Sequence, residues 1–376
     1  MKKKILHMIG RTQGGGGRTT ALEFFPAYRQ EFQTSAVVEE AGDLADQLRG
    51  MDISTHTLSM ENPRTSPLMI LPLAGILRRE KPDLLILYGQ VAGFNGVLAA
   101  RLAGLRKIIY LTCFPSFYTD WDLARVARNR VVEAVTCRMS SRIVCFSQSN
   151  RYQYLLRNLA TDRQVQCIPY PIDVEKIQPT TDRQSVRAAL NLNVDGPLVV
   201  SLGRLVDQKR FDWLVAAWQR VEGVHPTATL LVVGDGKDRG KLEAQARSLG
   251  LKRARFLGYR KEDGFRFFQA ADLGVITSMF EAPGLVALEA MAAGCPLVVT
   301  AADGVRDAVI PGVTGELTAV GDPDALAAGI LKLLGDEPLR REMGMAARRF
   351  VQAHNAFPVV LQQHFALARE LLQPGS

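Results

Sequence analysis

Long hydrophobic runs are missing from this sequence, and none approaches the ~20 residues that a membrane-spanning helix needs. The basic start Met1-Lys-Lys-Lys-Ile-Leu-His-Met-Ile-Gly10 has an apolar segment too short for a signal peptide and cut by Arg11, so it reads as a first β-strand. Cysteine is scarce. The five residues (Cys113, Cys137, Cys145, Cys167, Cys295) are odd in number and show no C-x-x-C spacing, which argues against structural zinc and a disulfide framework and for a reducing cytosol. Internal repeats and low-complexity tracts are also absent. At the glycine run Gly14–Gly17 the phosphate-loop pattern G-x-x-x-x-G-K-[ST] fails, because Arg18 stands where the lysine belongs and Thr12 where the first glycine belongs. Nor does that stretch contain G-x-G-x-x-G, the dinucleotide fingerprint.

What is present is an ordinary globular composition, 47% hydrophobic and 22% charged, over 376 residues. That length fits two α/β domains of about 150–200 residues each. The net charge of +8 is uneven: residues 1–175 carry 22 Lys+Arg against 16 Asp+Glu, residues 176–376 carry 24 against 22, and Arg101–Arg163 alone carry 11 against 4. A basic amino-terminal domain suits an anionic membrane surface or a phosphorylated acceptor; a solvated basic face without a partner is the plain alternative. No nucleic-acid motif accompanies the charge, so nucleic acid is not expected as a partner.

Along the chain, Ile5-Leu-His-Met-Ile9 reads as a strand, followed by the glycine run and a helix predicted over Ala21–Gln33. Glycines there let the backbone approach a ligand and leave N–H groups free at the helix start; a flexible turn is the plain reading. Asp83–Tyr88 and Lys107–Thr112 are buried-type strands around a small-residue helix Ala92–Leu102, an alternation that argues for a parallel, doubly wound sheet. Asp120–Arg138 has helical spacing and suits either an outer helix of the sheet or a basic face on a membrane. Asp120-Trp-Asp122 and Asp322-Pro-Asp324 precede helices and read as caps rather than metal ligands. Ser141–Ser149 reads as the last strand of the first domain with its polar exit. Val165–Asp173, with prolines 169 and 171, reads as an extended linker, placing a boundary near residue 174.

In the second half, Leu198–Leu202 is a strand ending at Gly203, and Arg204 and Lys209 follow before the next helix. Thr229–Gly236 is a further strand and Gly-Asp-Gly turn, and Arg255-Phe-Leu-Gly258-Tyr259-Arg260 follows. The chain is organised around Ala271–Thr300, which reads as strand, loop, helix, strand. Such a crossover puts the loop at the carboxyl end of its strand, where open α/β sheets bind ligands. Glu281 stands in the loop and Glu289 about one turn into the helix, while the N–H groups of Gly284, Leu285 and Val286 open the helix and suit a phosphate. Carboxylates accept hydrogen bonds from sugar and ribose hydroxyls. A nucleotide sugar offers both partners; a solvated loop acid and a helix-surface acid is the bland alternative.

Glu281-x7-Glu289 with Gly284, Leu288-Glu-Ala-Met-Ala-Ala-Gly294 and Pro296 closely resembles the signature of the family 4 glycosyltransferases, retaining enzymes of the GT-B fold. The resemblance implies two Rossmann-like, doubly wound parallel-sheet domains facing each other across a cleft. Residues 1–173 would be the acceptor-side domain, 174–355 the nucleotide-sugar domain, and 356–376 a last helix crossing back. It implies that Arg204 and Lys209 stabilise the departing diphosphate without a metal, that Glu289 holds the ribose, and that Glu281 with the amides of Gly284, Leu285 and Val286 holds the donor sugar. Gly258 and Tyr259 fall where the family's backbone holds the base, and Gly15 and Gly16 where it faces the donor phosphates. Two departures stand out: Cys113, an acceptor-side candidate with Arg18, occupies the place of a family histidine that contacts the donor sugar, and Ala282-Pro283 replaces Gly-Phe.

The implied activity is retaining transfer of a hexose-type sugar from a UDP- or GDP-linked donor to a polysaccharide or lipid-linked acceptor, with no cofactor. The implied place is the cytoplasm, or the inner face of the plasma membrane. A nucleotide-sugar epimerase of the same fold and a non-catalytic nucleotide-binding module are the rival readings.

Overall fold

The computed structural model describes residues 2–10, 16–40, 43–59, 67–112, 123–180, 182–261, 264–281 and 284–373. The chain divides into two units, Met1–Ile168 with Val360–Ser376, and Pro169–Val359. Among the described residues no helix is long and apolar enough to cross a membrane.

Among the described residues the first unit is built on seven parallel strands: β1 Lys4–Ile9, β2 Gln33–Glu39, β3 Ser54–Leu58, β4 Leu84–Tyr88, β5 Ile108–Thr112, β6 Arg142–Cys145 and β7 Val165–Cys167. Their order is β3-β2-β1-β4-β5-β6-β7. The sequence leaves β1 toward β2 and β3 on one side, then returns to β4 on the other, so the direction of winding reverses between β1 and β4. β4 and β5 are entirely buried and consist almost wholly of Leu, Ile and Tyr, as strands covered on both faces must be. The helices of this unit are α1 Gly16–Tyr28, α2 Leu44–Gly50, α3 Pro67–Glu80, α4 Gly89–Leu102, α5 Leu123–Met139 and α6 Gln148–Leu156. The small residues of α4 have a steric reason: a Cβ at Gly93 would stand 2.6 Å from the Tyr110 ring and one at Gly96 2.2 Å from Leu87.

Several expectations need correction. The first helix begins at Gly16 and stops at Tyr28, so Gly16 is a helical residue, and Gln33 opens β2 instead of closing the helix. The α4 helix likewise starts at Gly89, three residues before the predicted Ala92. The sheet does not end with β6. Val165–Cys167, read as linker, forms a seventh strand in register with Ile143–Cys145. The following proline-containing stretch is docked rather than free: the Ile172 N–H donates to the Asn355 carbonyl (2.7 Å) and the Asn355 side chain to the Tyr170 carbonyl (2.9 Å).

The second unit repeats the winding with, among the described residues, six parallel strands: β8 Leu198–Leu202, β9 Thr229–Val233, β10 Ala254–Gly258, β11 Leu273–Ile276, β12 Leu297–Thr300 and β13 Glu316–Thr318. The order β10-β9-β8-β11-β12-β13 reverses between β8 and β11. Around it lie α7 Arg183–Ala189, α8 Phe211–Val224, α9 Arg239–Ser248, α10 Phe265–Ala270, α11 Leu285–Ala292, α12 Pro323–Leu334 and α13 Glu337–His354. The α12 helix starts where Asp322 accepts from the Ala325 N–H (2.9 Å), the cap read from the sequence. The last helix, α14 Phe357–Leu372, matches its predicted span.

His364 on α14 packs edge-on against Phe24, and both belong to the first unit with His7 of β1. His7 is bonded through Nδ1 to the Tyr88 hydroxyl (3.0 Å), and Nε2 of each histidine is buried without a partner. Burial lowers the His7 pKa to about 3, with the neighbouring His364 adding to it, and lowers that of His364 to about 4. Both are therefore neutral in the fold and bind protons more tightly when unfolded, so stability is complete above pH 6.5 and is lost as pH falls toward 4. Urea unfolding should show a loss of about 1.4 kcal/mol per pH unit for each histidine in that window. A His364→Leu variant should have a flatter profile; an unchanged slope would refute the assignment.

Candidate donor-binding site

The site is assembled at the carboxyl ends of β8 and β11, the adjacent strands between which the winding of the second unit reverses. Leaving β8, the chain is laid directly on the exit of β9. The Gly203 N–H donates to the Val233 carbonyl (3.0 Å), Leu205 to Asp235 (2.9 Å) and Asp238 to Leu205 (3.1 Å). A Cβ at Gly234 would fall 1.9 Å from the Gly203 oxygen and one at Gly236 2.3 Å from the Leu205 oxygen. The Gly-Asp-Gly turn thus exists to let two backbones touch. Leu205 is buried by this contact, which leaves Arg204 exposed at the strand end, forming no ion pair among the described residues.

The next turn, a 3₁₀ segment Asp207–Lys209, is fastened to the exit of β11. The Thr277 hydroxyl donates to the Lys209 carbonyl (2.8 Å), the Met279 N–H to the Gln208 carbonyl (2.9 Å) and the Gln208 side chain to the Phe280 carbonyl (3.0 Å). This fastening brings Lys209 and Glu281 together: the ammonium donates to Oε1 of the carboxylate, which also accepts from the Ser278 hydroxyl at 2.6 Å. The two side chains are 14% and 13% exposed, so the pair is largely out of water. The Glu281 N–H donates to the Asp303 carbonyl (2.8 Å), giving the loop after β12 its part in shaping the site.

Gly284 has φ +59 and ψ +39, the left-handed conformation that a glycine adopts at little cost, and it begins α11. Its carbonyl accepts from Ala287 and Leu288, while the N–H groups of Gly284, Leu285 and Val286 have no acceptor within the helix. Glu289 lies one turn further on. A Cβ on Gly264 would be 3.5 Å from its Oε2 and 3.1 Å from Leu202, which places the carboxylate beside the start of α10 and the end of β8. At β10, Gly258 has φ +71 and its carbonyl accepts from the Gly234 N–H, with the Arg239 guanidinium against its α-carbon; Tyr259 is 75% exposed.

On the first unit, Gly16 is in the opening turn of α1, and Arg18 donates to Asp43 at 2.6 Å, an exposed pair that raises the guanidinium pKa and lowers the carboxyl pKa. Gly15, Cys113, Ala282, Pro283 and the Asp120-Trp-Asp122 cap lie outside the described residues. Just before Cys113, Thr112 is hydrogen-bonded to the Tyr154 hydroxyl (2.6 Å), which with Tyr110 donates to the fully buried Glu133. Sequence reading does not single out Ser278, Thr277, Gln208, Tyr154 or Glu133, whereas Thr112 is readable as a hydroxyl beside Cys113. Ser278 stands three residues before Glu281, a local spacing that was available as a signal; the Gln208 and Thr277 contacts join segments far apart in the chain.

The two doubly wound parallel sheets are those of the GT-B fold, and residues 182–350, which carry the loops gathered at β8 and β11, match the glycosyl transferases group 1 family. Among curated relatives, the lipopolysaccharide core biosynthesis glycosyltransferase LpsE of Rhizobium meliloti is 29% identical over 280 residues, 73% of this chain and 72% of that protein. An Escherichia coli galactosyltransferase, UDP-Gal:α-D-GlcNAc-diphosphoundecaprenol α-1,3-galactosyltransferase, is 24% identical over 90% of this chain and 89% of its own. Among solved structures, HepE of Anabaena in complex with UDP shares the fold with a TM-score of 0.84 at 22% identity, covering 98% of this chain and 100% of that one.

Replacing Glu281 by Gln strands the Lys209 charge in a largely dry pocket. We expect Glu281→Gln to cost about 2 kcal/mol of stability, and Lys209→Met in the same chain to restore part of it. Strictly additive losses in urea unfolding would refute the pairing. Gly234→Ala should cost on the order of 3 kcal/mol, because neither backbone can yield.

Proposed function

We propose that the chain is a retaining, metal-independent transferase that moves a hexose-type sugar from a UDP- or GDP-linked donor to a polysaccharide or lipid-linked acceptor. The observation that carries this reading is the Lys209–Glu281 pair beside the N-terminus of α11, with Arg204 exposed on the neighbouring strand end. Cleaving a sugar–phosphate bond leaves growing negative charge on the diphosphate. Fixed cations and helix N–H groups, already oriented, favour that charge over the ground state. Arg204, Lys209 and the amides of Gly284, Leu285 and Val286 supply this stabilisation and take the place of a metal.

Glu281, its Oε1 occupied by Lys209 and Ser278, keeps Oε2 for a donor-sugar hydroxyl, and Glu289 accepts from the ribose hydroxyls. Gly258 and Tyr259 border the base. In the transfer the bond from the anomeric carbon to the diphosphate oxygen breaks, the acceptor oxygen bonds that carbon from the same face, and the acceptor proton passes to the leaving phosphate. Gly15 and Gly16 belong with the donor phosphates, Arg18 and Cys113 with the acceptor. The acceptor class rests on the relatives, one named for lipopolysaccharide core biosynthesis and another for a diphosphoundecaprenol-linked sugar. We place the protein in the cytoplasm, peripheral to the inner face of the plasma membrane through its basic first unit.

Thermal-shift measurements with a panel of nucleoside diphosphates and nucleotide sugars test the reading. One base should stabilise the wild type, by ~2.7 kcal/mol at a hundredfold excess over Kd, and Glu289→Ala should lose most of that shift. No shift with any nucleotide at millimolar concentration would overturn it. Proline has no N–H to offer the donor, so Pro283→Phe should change the relative rates of diphosphate release among donor sugars. An unchanged donor profile would remove Pro283 from donor selection.

A further inference from the structure

Apart from Gly15 and Gly16 the donor-side residues lie in the second unit, and they leave the basic charge of the first unit unused. Part of that charge is gathered along β3, the outer strand of the first sheet. A cavity of about 630 Å³ at the amino-terminal ends of β1, β2 and β3 is lined by Lys2, Arg29 and Arg49. A second, of about 570 Å³, shares Arg49 and Thr55 with it and follows β3 along α3, where Arg79 lines it. The two form one groove along the outer edge of the sheet, from the amino-terminal ends of the strands to Leu58 at the end of β3.

Backbone carbonyls hold the cations in place. Lys2 Nζ donates to the carbonyls of Arg29 (3.1 Å) and Gln30 (3.0 Å), and Arg29 Nη1 to that of Met51 (2.7 Å). A carbonyl orients a cation without cancelling its charge. Asp52 and Asp46 pair with Arg29 and Arg49, but these carboxylates are 88% and 80% exposed and face water. Asp46, Asp52 and Glu80, which bonds the lining His56, set three carboxylates against four Lys and Arg cations and leave an excess of one, and Arg79 forms no ion pair among the described residues. The groove also presents the hydroxyl residues Ser54, Thr55 and Thr57; of its apolar members Phe32, Ile53 and Ile76 are buried and Leu58 is half-buried, which leaves Pro72 as the exposed one. An apolar ligand has little to hold here. The groove suits a ligand that is extended, rich in hydroxyls and anionic at intervals.

We propose that the β3 groove binds an anionic oligosaccharide, with Arg29, Arg49 and Arg79 taking its carboxylate or phosphate groups and the serine and threonine hydroxyls its ring hydroxyls. An arginine fork engages such an anion through two parallel N–H donors, which also fixes its orientation. Over its five residues, at ~3.3 Å each, β3 spans about 17 Å, room for several sugar rings. The groove would hold a glycan chain on elements other than those that carry the donor residues.

Isothermal titration calorimetry on the full chain, with a polygalacturonate oligomer as probe and a neutral dextran oligomer of equal length, tests this. Polygalacturonate should bind, more weakly as salt rises, and dextran should not. Arg29→Gln with Arg49→Gln should weaken binding about tenfold, roughly 1.4 kcal/mol. Should that double variant fail to fold, Arg79→Gln, an exposed change with no ion pair to break, must still weaken it severalfold. Absence of polygalacturonate binding, equal binding of dextran, or loss in Arg128→Gln/Arg130→Gln on α5 with the groove variants unaffected would each overturn the proposal. So would competition by a nucleoside diphosphate, which would put the probe in the donor site. Nucleotide shifts report on the second unit, so the failure of either reading is seen independently of the other.

Discussion

The arrangement of the second unit depends on the ion pair between Lys209 and Glu281. Two charges at 14% and 13% exposure have given up most of their hydration, a loss their mutual attraction repays only when the geometry is good and spare hydrogen bonds are met. Ser278 meets one of these on the carboxylate. The remaining contacts, from Thr277 to the Lys209 carbonyl and between Gln208 and the backbone at 279 and 280, fix the two loops so that the charges meet. The partners are 72 residues apart in sequence, and adjacency of β8 and β11 is what makes the pair possible. A doubly wound sheet leaves a crevice where its winding reverses, and here both loops that border the crevice are charged.

The pair also says what the ligand-free site is prepared for. An ammonium that already has a carboxylate partner is held in place at little further entropic cost when an anion arrives. The carboxylate, with one oxygen occupied, offers the other in a defined direction. The helix beginning at Gly284 adds uncompensated N–H groups on the same side of the sheet. The first unit differs at its own reversal between β1 and β4. There His7, inside β1, is enclosed by Phe25, Tyr28 and Tyr88 and kept neutral, so an aromatic core underlies that reversal.

How much of this was legible in the sequence follows from the range of the interactions. Strands such as Asp83–Tyr88 and Leu198–Leu202 announce themselves because burial on both faces demands continuous apolar runs, and the loop–helix join at Gly284 because it needs a particular backbone conformation. The edge strands escaped notice for the opposite reason. Ser54-Thr-His-Thr-Leu58 is half-buried and polar, and Val165–Cys167 and Glu316–Thr318 are three residues each, too short to establish a period. Of the site, Arg204, Lys209, Glu281 and Glu289 were readable through a family resemblance, since the spacing of two acids alone would also describe a solvated loop. The contacts of Gln208 and Thr277 across 72 and 68 residues leave no local pattern.

Arg210 shows what the arrangement costs. It follows Lys209 with φ +47, a left-handed conformation that costs a residue with a Cβ on the order of 1 kcal/mol. Its guanidinium is held by Asp212 at 2.7 Å and lies 4.6 Å over the Trp213 ring, so side-chain contacts offset the backbone strain. The reversal at this residue ends the 3₁₀ turn and starts α8 in a new direction. Without it the turn would run on into the helix, and the Lys209 carbonyl, which receives the Thr277 hydroxyl, would be drawn into the helical ladder instead. The strain at Arg210 is therefore part of how Lys209 is placed: a conformation unfavourable in itself is retained because the ion pair, the Thr277 bond and the direction of α8 all require it.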